Sequence, residues 1–273
     1  AVPPKDAPKP VAPVFDAPDR FDSRWLRLAD VDGSGAADAL YFGPDGCRVW
    51  LNESGNAFSA APRVIATFPG VDGLSSVQTS DLLGTGTVCL VWSSCAPADA
   101  PAPVRYIDLM GSRKPHLMTG YRNNSGKIVT LGYAPSTRFY LEDERAGAPW
   151  ATRLPFPVQV VERVTTCDDV TGTELVTTYS YHHGYYDTAE REFRGFGRVD
   201  RLDGESFARW VRRDAANVVD ERLHQPPVLT HTWYHTGALL DQERLISAYT
   251  AEAHPDPPGV RLPDPALPAH LSP

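Results

Sequence analysis

"RLADVDGSGAADALYF", residues 27–42, and "QTSDLLGTGTVCLVWS", residues 78–93, decide how this chain reads. Aligning Asp30 with Asp81 brings Gly33 onto Gly84 and Gly35 onto Gly86 at one constant shift of 51 residues, and Leu40 and Leu90 follow 50 residues apart. A period of that length marks stacked supersecondary units. Each blade of a β-propeller is a small antiparallel sheet that buries its faces only against its neighbours. Propellers close with about four to eight blades. The repeat therefore predicts a partial β-propeller, two blades over residues 21–105.

The first copy also carries chemistry. Asp30, Asp32 and Asp38 surround a Gly-Ser-Gly turn, and like charges so close repel unless something positive sits among them. The pattern resembles the calcium loops of integrin-type propellers, the FG-GAP repeats. Calcium takes about six to eight oxygens. Asp30, Asp32, Ser34 and Asp38, with the Ala36 carbonyl, are the candidate ligands, and calcium is the candidate cofactor. An EF-hand is excluded, because Tyr41 stands where the bidentate Glu is required. The competing reading needs no ion: glycines turn the chain and aspartates cap backbone amides. Both readings stand for the first loop. In the second, Leu83 and Cys89 replace Asp32 and Asp38, which leaves the turn alone.

Outward from the repeat, strand signals dominate. "RVWLN", "VCLVW", "VRYIDLM", "KIVTLGY", "VQVVERVTT" and "ELVTTYSYHH" are short, rich in β-branched and aromatic residues, and bounded by Gly, Pro, Asn or Asp. "RNNSGK" and "CDDVTGTE" have hairpin-turn chemistry. The one helical candidate is "SFARWVRRDAANVVDERL", residues 206–223, whose periodicity is imperfect. Residues 1–20 read as a Pro-rich linker and 251–273 as a Pro-rich tail, so the chain reads as part of something longer.

Bulk composition narrows the function classes. The chain has 273 residues, 42% hydrophobic and 22% charged, as ordinary globular proteins do. A net charge of −8 disfavours nucleic acid as a partner. No apolar run is long enough for a transmembrane segment. The first residues lack the apolar stretch of a signal peptide. Cys47, Cys89, Cys95 and Cys167 show no zinc spacing.

From about residue 106 the blade repeat stops. Tyr179, Tyr181, Gly184 and Asp187 form Y-x-Y-x-x-G-x-x-D, which looks like the tyrosine-aspartate repeat of RHS proteins, with "TWYHTGALLD" (232–241) as a looser copy. Aromatic rings on one face can ladder across strands, while Gly and Asp make the turn. The blocks "SDLLGTGTVCLVWSS", "YIDLMGSRKPHLM", "NNSGKIVTLGYAPSTRFYLEDERAGAPWATRLPFPVQVVERV" and "YHHGYYDTAEREFRGFGRVD" resemble the middle region of the B component of bacterial Tc toxin complexes (TcdB/TcaC-like, SpvB/RHS-related). The resemblance covers most of residues 21–250. It implies a mostly β chain, with integrin-like blades followed over residues 106–250 by the start of an antiparallel RHS/YD-type β-sheet. It also implies a non-catalytic role, joining a propeller that docks on the pore-forming A component to a shell, shared with the RHS-containing C component, that encloses the toxic enzyme. The implied location is secreted, within a bacterial toxin complex.

Two other functions compete. One is a calcium-dependent, integrin-like adhesion module. The other is a metal-dependent hydrolase using His182, His183, Asp187, His224, His231 and His235. Strand alternation sends His182 and His183 to opposite faces, and HExxH, GxSxG and P-loop motifs are missing. Gly195 and Gly197 in "REFRGFGRVD" lack the third glycine and helix of a phosphate turn. The sequence therefore favours structural histidines and a packing role for Phe193 and Phe196.

Overall fold

The computed structural model describes residues 13–204, 211, 220–238 and 241–253. Among the described residues, three antiparallel sheets carry the fold. The first is a four-stranded meander of β1 (Leu26–Ala29), β2 (Asp38–Gly43), β3 (Gly46–Trp50) and β4 (Arg63–Ile65). The second joins β5 (Ser75–Ser80), β6 (Cys89–Ser94) and β7 (Val104–Asp108). The third has six strands in the order β13-β12-β11-β10-β9-β8. They are β8 (Gly120–Arg122), β9 (Lys127–Pro135), β10 (Gln159–Asp168), β11 (Glu174–Asp187), β12 (Glu192–Asp203) and β13 (Val228–Trp233).

Period-two alternation explains how the first two sheets pack. Every residue of β2 is buried, and its two faces serve two cores. Leu40 and Phe42 join Val49, Val77, Leu90 and Trp92 in a core between the two meanders. Ala39 and Tyr41 turn the other way, onto Trp50, Trp25, Phe58 and Phe15. Arg27 ties the layers by donating to the Val77 carbonyl at 2.9 Å from Nη2. The expected linker contributes here: Phe15 meets Trp50 edge-on at 5.1 Å, and Arg48 donates to its carbonyl. Residues 1–12 and 254–273 lie outside the described residues, as does the helical candidate 206–223 apart from 211 and 220–223.

The expected division at 105/106 falls inside β7. That strand pairs with β6 through Asp108, so the second meander runs further than the sequence indicated. The "RNNSGK" turn forms as read, with Asn123 accepting from the Ser125 and Lys127 amides. In "CDDVTGTE", Asp168 accepts from the Val170 amide and the Thr171 hydroxyl.

Two helices lie where strands or loops were expected: α1 (Ser136–Arg145) and α2 (Gln242–Glu252). Pro135 ends β9 and stands at the N-cap of α1. Ser136 locks the start, its amide donating to the Val158 carbonyl and its hydroxyl accepting from the Val158 amide. Phe139 is the buried apolar anchor, set against Ala134, Val160, Tyr181 and Phe196. Half-buried Arg138 pairs with Glu142 one turn on at 3.4 Å and with Glu162 of β10 at 2.8 Å. Helix α1 thus covers one face of the third sheet.

Candidate functional site

In the first loop the three carboxylates do converge. Asp30, Asp32 and Asp38 offer oxygens within 4.8 Å of one another, the one such group of three or more His, Cys, Asp or Glu side chains among the described residues. Asp38 begins β2 and is fully buried. Its Oδ1 accepts from the Asn52 amide at 2.7 Å and its Oδ2 from the Val31 amide at 2.9 Å. Burial pushes its carboxyl above the ordinary range, with Asp32 and Asp30 adding repulsion against the backbone bonds. Burial also acts upward on Asp32, but hydrogen bonds from Ser34 and the nearby His116 outweigh it and hold that group low. Asp30 Oδ2 accepts from the Gly35 amide at 2.9 Å, while its Oδ1 is buried without a hydrogen-bond partner. Ser34 is exposed, and its hydroxyl accepts from the Ala36 amide at 3.5 Å. The four expected ligands are therefore adjacent, and the donor set suits a hard cation.

The second loop keeps the turn and drops the charges. Asp81 Oδ2 accepts from the Gly86 amide at 2.8 Å, the counterpart of Asp30 and Gly35. Cys89, in the place of Asp38, is a buried thiol raised by desolvation. This loop instead meets the third sheet. Gly84 has φ +65°, and a Cβ there would lie 2.9 Å from the Thr137 methyl. Gln159 donates to the Thr85 carbonyl at 2.6 Å, and Lys114 to the Gly86 carbonyl at 3.3 Å. No local motif announces this joint, because Gln159 and Thr85 lie 74 residues apart.

His182, His183 and His231 share a network with Asp143, Asp200, Arg198 and Glu252. Strand alternation was expected to part His182 from His183. His183 instead adopts φ +58°, kinking β11, and the two rings lie 6.4 Å apart. Both are buried. His182 Nδ1 lies 2.6 Å from Asp143 Oδ2, and its Nε2 lies 3.2 Å from Asp200 Oδ2, an ion pair in distance without hydrogen-bond alignment. Asp200 Oδ1 also contacts His231 Nδ1 at 2.8 Å and Arg198 Nε at 3.1 Å. Arg198 reaches Glu252 of α2 at 2.8 Å, and Glu252 in turn meets His183 Nε2 at 2.8 Å. His183 Nδ1 accepts from the Ala151 amide. Burial pushes Asp200 upward, but His182, His231 and Arg198 together hold it far below the ordinary carboxylate range. His235 accepts from the Gly237 amide, within its own turn. Sequence reasoning missed Asp143 and Glu252, whose histidine partners are 39 and 69 residues distant.

The tyrosine-aspartate motif divides its labour differently from the expectation. Tyr181 packs on Phe196 at 5.0 Å and on Phe139 at 5.7 Å, and Asp187 caps the turn by accepting from the Ala189 and Glu190 amides. Gly184 sits mid-strand, where a Cβ would meet Trp150, Leu154 and Phe196 within 3.1 Å. Gly195 and Gly197 lie within β12, and Phe193 packs edge-on to Phe196 at 5.6 Å. No helix among the described residues is long and apolar enough to cross a membrane.

Residues 52–236 match the family model described as "Insecticide toxin TcdB middle/N-terminal region". A crystal structure of TcdB2-TccC3 is 30% identical over 89% of this chain, with a TM-score of 0.71. The Photorhabdus luminescens Tc holotoxin pore is 31% identical over 86%, with a TM-score of 0.70. A TcdB2-TccC3-Cdc42 crystal structure is 32% identical over 85%, with a TM-score of 0.69. The matched part is 11%, 10% and 10% of those chains respectively, so this chain spans about a tenth of their length. No curated protein matches the chain.

Proposed function

Because the chain belongs to the family of the TcdB insecticide-toxin middle region, we propose that it is a non-catalytic structural part of a secreted toxin complex. In this reading the two meanders are blades of a propeller that docks on the pore-forming A component. The six-stranded sheet is the start of a shell, completed with the RHS-containing C component, that encloses the toxic enzyme. The observation that carries it is the second glycine loop. Its contacts with Thr137, Gln159 and Lys114 join a repeat-type meander to a sheet with strands of 14 and 12 residues. A joint of that kind suits a part whose task is to hold two bodies in fixed relation.

The experiment is purification of the native complex through an affinity tag on the protein that contains this chain, followed by cryo-electron microscopy. The expected result is co-purified A and C components, with this segment at the junction of propeller and shell. A tagged protein recovered free of both components, or one that turns over a substrate by itself, would count against the proposal.

Calcium in the first loop is part of the reading, supported by the unpartnered, buried Oδ1 of Asp30. Asp30, Asp32, Ser34 and Asp38 would hold the ion and so fix the turn that starts β2. Such a site would also suit the adhesion module, whose stability should depend on calcium throughout. In a toxin part only the first meander should respond.

A further inference from the structure

His182 sits where one proton decides whether Asp143 of helix α1 has a cationic partner. The ring is buried on β11, with Asp143 of α1 against Nδ1 and Asp200 of β12 against Nε2. A neutral imidazole has a single N–H, so one nitrogen would then turn a lone pair toward an anionic oxygen. Only the imidazolium suits both carboxylates.

The two carboxylates are unequally provided for. Asp200 keeps the Arg198 guanidinium whatever His182 does. The cationic partner of Asp143 is His182, and the other side-chain contact of its Oδ2 is Trp150 Nε1 at 2.7 Å. Discharging His182 therefore turns an ion pair into an ion–dipole hydrogen bond and removes the cation beside Asp143. It also leaves the Asp143 carboxylate facing a neutral ring. Trp150 shares the same oxygen, so the segment around residues 148–153 depends on that contact too.

We infer that His182 is a proton-operated clasp: charged, it fastens α1 and the Trp150 segment to the third sheet, and discharged, it lets that layer loosen while the strands stay paired. The groups that face it are Asp143 from α1, Arg198 and Asp200 from β12, and His231 from β13 through Asp200. His183 lies beside it on β11, and Glu252 of α2 acts through Arg198 and His183. Burial and the Arg198 charge oppose protonation, yet Asp200 and Asp143 outweigh them and hold the imidazole above its ordinary value. With the folded value raised, the clasp is fully closed below the ordinary imidazole range and opens as pH rises through the raised one. This property belongs to the sheet and stands apart from the toxin reading.

The test is a histidine-resolved NMR titration of the 273-residue chain, with amide hydrogen exchange of residues 136–145 measured across the same pH range. His182 should titrate above about 6.5, the ordinary imidazole value. After correction for the intrinsic pH dependence of exchange, α1 protection should fall as the ring discharges, about tenfold for each pH unit by which His182 titrates above that value. In His182→Gln that fall should vanish. Should the glutamine variant not fold, Asp143→Asn replaces it, with a lowered titration point for His182 and the same loss of pH dependence expected. A wild-type His182 titrating at or below the ordinary value overturns the clasp. So does α1 protection that ignores pH, or that responds identically in wild type and variant.

Discussion

The side-chain amide of Gln159 donates to the backbone carbonyl of Thr85 at 2.6 Å, so the first strand residue of β10 holds the turn of the second glycine loop. Both groups lie in a partly buried interface, where losing one partner leaves the other unpaired. Gln159→Ala should therefore destabilise the chain by about 1–3 kcal/mol. It should also raise amide exchange at residues 81–87 before the sheets themselves open. Urea titration with exchange mass spectrometry reads both, and an unchanged loop would show that the joint does not depend on this contact.

The two aspartate loops predict opposite responses to calcium. With calcium at about a hundredfold excess over its Kd, the wild-type chain should gain about 2.7 kcal/mol, because an ion bound only by the folded state stabilises by mass action. Asp32→Asn should abolish that gain. Asp81→Asn should lower stability with or without the ion and leave the calcium response intact, since Asp81 closes its loop on backbone amides. Isothermal titration and thermal melts separate these outcomes; a wild-type chain indifferent to calcium and to chelator removes the ion from the loop.

Asp200 should shape stability at both ends of the pH scale. Its own value is held far below the ordinary carboxylate range, so its contribution is present above that range and lost as pH falls through the depressed value. The raised His182 partner gives the converse, a contribution present below the ordinary imidazole range and lost as pH rises. The difference in stability between wild type and Asp200→Asn should therefore be widest between about pH 4 and about pH 6.5. Within that window it should reach about 3 kcal/mol, the lower end for a broken buried pair. Urea midpoints across pH test it, and a difference that stays flat contradicts the assignment.

Gly184 is a packing position. A methyl group there would press on Trp150 and Leu154 at 2.7 and 2.9 Å and on Phe196 at 3.1 Å. Gly184→Ala should cost about 1–3 kcal/mol through overpacking. A paired change that trims Leu154 to Ala should recover part of the loss. Failure of the trimmed pair to recover any stability, measured by the same unfolding curves, would place the cost elsewhere.

Much of the mostly β, antiparallel fold was legible because its signals are local. "VCLVW" became β6 and "KIVTLGY" became most of β9, and the turn residues Asn123 and Asp168 bind the amides their positions suggest. Helix α1 was hidden because "STRFYLEDER" follows strand residues and shows one apolar anchor, Phe139, rather than a full stripe. Its clearer signal was the Arg138 and Glu142 spacing. The aspartate cluster could be read because its members are close together in the chain. The histidine network could not, since Asp143 and Glu252 reach His182 and His183 only after helices and sheet have come together. The alternation rule failed at His183 because a left-handed residue interrupts the pleat.

Two copies of one turn can serve different ends in the same molecule. Stripping water from unpaired anions is costly. With Leu83 and Cys89 in the second copy, that obstacle is gone, and Gly84 and Gly86 come within reach of Thr137 and Gln159. Introducing acids at those two sites should thus weaken the hold of that loop on Thr137 and Gln159, while leaving the turn itself formed.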